Sequence, residues 1–166
     1  MGHSKGFTLI ELIIVIVIVA IIAGAVSFVM LGAIDAWTFK FNRSDLLWDA
    51  RLAMNRMTRE IREVKNRAKV TTADSSEFRF ENINNLDITY DLNGTDLERT
   101  EDGTSNVLAE DVSALSFTYF DADGATITTP DVAPGATDIR RVRINLTLTK
   151  NGEDVYFQSE SVPRNF

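Results

Sequence analysis

Three regimes of hydrophobic patterning follow one another along the 166-residue chain. Residues 12–34 carry no charged side chain. They form an apolar run of 23 positions, and a helix needs ~20 to cross a bilayer core. Further on, Leu47, Ala50, Met54, Met57, Ile61, Val64 and Ala68 recur at alternating steps of three and four, which places them on one helix face. Arg51, Arg56, Arg59, Arg62, Lys65 and Arg67 fall on the other faces. From Val70 the period becomes two. Phe78 and Phe80 alternate with charges, as do Leu86, Ile88 and Tyr90, then Leu115, Phe117 and Tyr119, then Val142, Ile144, Leu146 and Leu148 alternate with polar neighbours, as in half-buried strands. Asn93-Gly94, Asp102-Gly103, Asp123-Gly124 and Asn151-Gly152 are turn pairs that accept positive φ. The last should join residues 139–149 to 154–162 in a hairpin. Asp131–Thr137, beside Pro130 and Pro134, reads as a loop.

These regimes predict an α+β fold: a long N-terminal helix, membrane-spanning in its first half and amphipathic in its second, packed on an antiparallel sheet. The expected divisions are a short polar leader at 1–6, an apolar helix at 7–34, an amphipathic helix at 35–69, and a β head at 70–166 packed on residues 47–68. No proline precedes Pro130, so nothing forces a break between Phe7 and about Lys69. Gly24 and Gly32 are the intrinsic weak points, each costing ~1 kcal/mol against alanine. The apolar stripe reads as the seam to the chain's own sheet. Turned toward another protein, it would leave that sheet uncovered.

Composition narrows the chemistry. There are no cysteines, which excludes disulfides, thiolate metal sites and cysteine nucleophiles. The single histidine, His3, lies near the N-terminus. The net charge of −7 conceals an asymmetry. Residues 35–69 hold nine Lys/Arg against five acids, whereas 70–166 hold seven against eighteen. An acidic head argues against nucleic acid as a partner, and the plain reading of its acidity is solubility. The basic helix surface suits a solvated face, the acidic head of a neighbouring subunit, or lipid head groups.

The apolar run is too long for a secretory h-region of ~7–15 residues. A plain anchor explains its length but not Glu11, a carboxylate just inside the run beside Leu9, Ile10, Leu12 and Ile13. An acid in a membrane segment costs several kcal/mol and usually meets a partner. The N-terminus freed by cutting after Gly6 would be one such partner. Lys5 and the short stretch Met1–Gly6 would hold that end on the cytoplasmic side.

Lys5-Gly6-Phe7-Thr8-Leu9-Ile10-Glu11-Leu12 resembles the class III signal of type IV prepilins and type II secretion pseudopilins. The resemblance implies cleavage by prepilin peptidase between Gly6 and Phe7, N-methylation of Phe7, and an assembly role for Glu11, which would neutralise the Phe7 ammonium of an adjacent subunit. It also implies partners: other pilin or pseudopilin subunits, the prepilin peptidase, an inner-membrane assembly platform, and membrane lipid before assembly. The expected location is the bacterial inner membrane, single-pass with the head in the periplasm, and then the pilus or pseudopilus. A looser similarity of pattern covers Arg56–Asn66, Asn106–Val112, Leu115–Asp121 and the Arg-Val-Arg-Ile strand near the C-terminus. It is to the J-type minor pseudopilins of type II secretion and equally to the W-type minor pilins of type IV pili, and points to a minor subunit.

Other candidate chemistry is sparse. Asp121-Ala122-Asp123-Gly124 resembles the opening of a calcium loop, which makes Asp121 and Asp123 the metal-ligand candidates, with calcium the only cofactor in view. A full loop would close with a glutamate where Val132 stands, so a hairpin turn is the simpler reading. Arg140, Arg141 and Arg143 cluster on a strand, where they would blunt a sheet against aggregation. No nucleophile, base and orienting group form a set, so no catalytic residue is nominated. Two function classes remain: a structural subunit of an assembling filament, and a membrane-anchored periplasmic domain with its own binding or catalytic task.

Overall fold

The computed structural model describes residues 8–132, 134–135 and 138–166, with only the backbone described at helix positions 35, 36, 38, 39, 41–43 and 45. Helix α1 runs from Leu9 to Arg62. The chain divides into two compact units, an apolar helical arm through Phe41 and a head from Asn42 to Phe166.

In the arm, Leu9–Ile34 is long and apolar enough to cross a membrane, and all of it is exposed. Its one hydroxyl inside the span, Ser27, donates to the carbonyl of Ala23 at 2.8 Å and so leaves no unsatisfied donor in an apolar surround.

In the head, the helix buries Leu46, Ala50, Ala53, Met54, Met57 and Ile61. Leu46 and Ala53 lie nearer the centre of this face than Leu47, which is only half-buried. Ala68, expected on the same stripe, is exposed on a 3-10 turn, Arg67–Lys69. The reason is where the α-helix stops. Glu63 and Val64 donate to the carbonyls of Glu60 and Ile61, tightening the last turn. Lys65 then donates to the Glu81 carbonyl and Ile83 to that of Glu63, so the backbone exchanges helical for sheet partners. The far end of the chain completes the cap: the Arg164 amide donates to the carbonyl of Arg62, and the Asn165 side chain to that of Val64.

The head holds two antiparallel sheets where a single one was expected. The first is a five-stranded meander of β1 (Val70–Ala73), β2 (Phe78–Glu81), β3 (Asp87–Asn93), β4 (Asp96–Glu101) and β5 (Thr104–Ala109), in that spatial order. The second contains β6 (Val112–Phe120), β7 (Thr126–Ile127), β8 (Arg141–Lys150) and β9 (Glu153–Ser161), in the order 7-6-8-9. The chain leaves the first sheet at Glu110-Asp111, where Asp111 takes a φ of 58°. Beyond that corner the Val112 amide bonds back to Thr95 and β6 pairs with β8. Period-two patterning marks strands but carries no signal for which ladder each one joins.

Both sheets share one core with the helix. Phe78 of β2 packs against Phe117 and Tyr119 of β6 with ring centroids 5.9 and 5.5 Å apart. The buried Tyr119 hydroxyl donates to the Asp74 carbonyl at 2.7 Å. Two tight turns carry positive φ at both central residues, Asp102-Gly103 and Asn151-Gly152. That geometry fixes the β4–β5 and β8–β9 registers.

Candidate functional site

Gly6 and Phe7, the expected cleavage and methylation positions, lie outside the described residues. The described part of the signal begins at Thr8, the residue before α1. Its carbonyl accepts from the Leu12 amide at 3.2 Å, its hydroxyl accepts from the Glu11 amide at 3.3 Å, and its own amide donates to the Glu11 carboxylate at 3.5 Å. This reciprocal pattern is a capping box: Thr at the cap and Glu three residues on satisfy donors that a helix start leaves without partners. The carboxylate also sits in the first turn, where the helix dipole favours negative charge. Within this chain, then, Glu11 helps to start the helix as well as bringing an acid to the head of the apolar run. The signal for this was in the sequence, as the Thr-x-x-Glu spacing of Thr8 and Glu11.

A second constellation escaped the sequence reading. Glu60 of α1 is buried, and it is met by the Arg99 guanidinium at 2.8 Å, the Tyr90 hydroxyl at 2.5 Å and the Arg56 guanidinium at 3.0 Å. Arg99, also buried, reaches Glu101 as well. Burial pushes the Glu60 carboxyl up, but the donors from Arg99, Tyr90 and Arg56 outweigh it and leave the group below its ordinary value. Burial and the Glu60 charge both drive the Tyr90 hydroxyl upward, so it stays protonated and donating. Arg99 stands two residues from the inward Leu97 on β4 and so shares its face, and this spacing is the signal that could have placed it inside.

The remaining candidates turn inward on themselves. Asp121 Oδ1 accepts from the amides of Asp123 and Ala125 at 3.0 and 2.8 Å, closing its own turn. No group of three or more His, Asp or Glu residues that could hold a metal occurs among the described residues. Arg140 pairs with Asp138 at 2.8 Å. Arg141 and Arg143 share Glu160 at 3.3 and 2.6 Å, and both guanidiniums lie over the Phe120 ring, 4.6 and 4.7 Å from its centroid.

Residues 1–27 match the prokaryotic N-terminal methylation motif. No curated protein matches the chain. The motif, with the capped apolar helix behind it and the α+β head, supports a type IV prepilin- or pseudopilin-like protein. The motif supports processing by prepilin peptidase, and with Leu9–Ile34 it fits a pilin anchored in the inner membrane.

Proposed function

We propose that the chain is a structural, minor subunit of a type II secretion pseudopilus or a type IV pilus, assembled through its N-terminal helix. The observation that carries this is the arm itself. Leu9–Ile34 is a 26-residue apolar helix that buries nothing in its own chain, headed by an acid and a methylation motif. Such a surface needs lipid before assembly and neighbouring helices after it. The partners in this reading are other pilin subunits, an inner-membrane assembly platform and lipid, with the head in the periplasm. The J- and W-type resemblance supports a minor role. In this reading the role is structural.

In an apolar filament core Glu11 requires a cation, and the methylated ammonium of Phe7 on an adjacent subunit supplies it. The capping box makes the test sharper. Glu11→Gln preserves a capping box but removes the charge, whereas Glu11→Ala removes both. Both variants should insert and lose the leader normally, and both should fail to enter filaments, since an unpaired buried ammonium costs ~3–5 kcal/mol. Intact mass of the extracted protein reads loss of Met1–Gly6 and gain of one methyl; sheared-filament fractions read incorporation. Wild-type incorporation of Glu11→Gln would reduce Glu11 to a cap. Wild-type incorporation of both variants would show assembly that does not need Glu11, and absence of the parent chain itself from those fractions would leave a plain membrane anchor.

A further inference from the structure

The five-stranded sheet has two edges, β1 and β5, and the head treats them differently. β1 is covered. The Asp131 amide donates to the Ala73 carbonyl at 2.9 Å, and Asp138 pairs with Arg67 at 2.5 Å, just before the strand. Gly135 stands so close that a Cβ there would come within 3.1 Å of the Ala68 Cα. At the other edge, Thr104, Ser105, Asn106 and Val107 are all exposed.

The turn at Asp102-Gly103 decides which backbone groups β5 offers. Glu101 and Thr104 flank a two-residue turn and bond to each other, and the pairing alternates from there. Thr104 and Asn106 aim their N–H and C=O groups at β4, so Ser105 and Val107 aim theirs away from the sheet. Edge strands are normally blunted by lysine, proline, an inward charge or a bulge. Gly103–Ala109 contains none of the first three, and its one break in register lies past Val107, at the far end of the strand.

Charge selects the occupant. The uncharged strand is bracketed by two exposed acids, Asp102 and Glu110. A second copy paired antiparallel about Asn106 would set Asp102 against its Glu110 at both ends, and opposed like charges destabilise such pairs. Basic flanks are favoured by the same geometry. On the inner side, a groove of about 590 Å³ between Arg56 of α1 and Arg99, Thr104 and Asn106 of the sheet leaves room for the inward side chains of an added strand.

We propose that β5 is a docking edge, which takes an extended segment of a partner protein as an added strand. The segment is uncharged over about five residues and carries Lys or Arg at both ends. This surface lies wholly in the head and does not depend on assembly through the arm.

The test uses the mature full-length chain in detergent micelles and a labelled synthetic peptide, Lys-Lys-Thr-Val-Thr-Val-Thr-Lys-Lys. One control replaces the lysines by glutamates; another keeps them and puts proline at both valines. Fluorescence anisotropy should show the first peptide binding roughly tenfold tighter than either control. Hydrogen exchange should slow at the Ser105 and Val107 amides on binding. Val107→Pro removes an outward N–H without touching the β4–β5 ladder and should lose the preference. Val107→Lys retains the strand and should weaken binding through its charge. Equal binding of the proline control, wild-type affinity in both variants, or protection elsewhere would overturn the docking edge. Predominant disulfide-linked homodimers of Ser105→Cys would overturn the choice of partner.

Discussion

The two halves of α1 are both rich in apolar residues, and they do opposite things with them. Between Leu9 and Ile34 apolar side chains point in every direction and all are exposed. Between Leu46 and Arg62 most are gathered on one buried face, with Trp48 and Leu52 left exposed alongside Arg51 and Arg59. One helix thus carries an exposed apolar surface at one end and an intramolecular seam at the other. The difference lies in whether charge interrupts the apolar positions, since a helix that is hydrophobic all round must be buried by something other than its own soluble domain. Burial also changes what an acid can do. Among the described residues Glu11, in the exposed half, hydrogen-bonds with Thr8, whereas Glu60 gathers three donors from a helix and two strands.

The largest effect should separate the halves outright. Ile61→Asp puts an unpaired carboxylate into the core and is expected to cost more than ~4 kcal/mol, enough to abolish the head's thermal transition in near-UV circular dichroism. Val19→Asp should leave that transition in place while impairing membrane insertion, at ~2.5–3.5 kcal/mol for an acid near mid-helix. A parental melt for Ile61→Asp would refute the seam.

Arg99→Ala should follow, at ~3–5 kcal/mol, because it strands Glu60 in the core. The double variant Glu60→Leu, Arg99→Met should recover much of the loss. If the double variant is no more stable than the single one in urea, the pair is a true source of stability rather than a device for register.

A smaller effect is acid sensitivity. The Glu60 carboxyl titrates lower in the folded head than its ordinary value of 4.5. Its contribution is therefore complete above about pH 4.5 and is lost as the pH falls through the folded value. Urea midpoints measured from pH 7 downward should decline more steeply below that point in the parent than in Glu60→Gln. Parallel curves would show that other carboxylates govern acid unfolding.

The smallest effect belongs to the cap. Thr8→Ala should cost ~1 kcal/mol locally, read as faster amide exchange at Ile10 and Glu11 in micelles, with the head's melt unchanged. Unchanged exchange would mean the helix start is held by its surroundings instead.

Much of this organisation is carried by local pattern. An uncharged run of membrane-spanning length, a Gly-Phe junction with an acid at fixed spacing, a three-four stripe and Asx-Gly turns each depend on a few adjacent residues. They marked the arm, the signal, the docking face and the β8–β9 hairpin. The capping box at Thr8 is equally local, since Thr8 and Glu11 stand three residues apart.

Other features had no local signature because they join residues far apart in the chain. The split into two sheets turns on the corner at Asp111 and on β6 choosing β8 as its neighbour. The cover on β1 depends on where Asp131 and Asp138 come to lie, and the end of the helix is capped where Arg164 and Asn165 reach the carbonyls of Arg62 and Val64. Glu60, Tyr90 and Arg99 are separated by 30 and 39 positions, and each by itself reads as an ordinary surface or strand residue. By itself the sequence determined periodicity, turn chemistry and the signal, because these follow from backbone geometry over a few residues. Which strands pair, which edge stays open and which charges are buried together were decided by the tertiary structure, because desolvation and long-range pairing exist only once the helix and both sheets have closed over a common core.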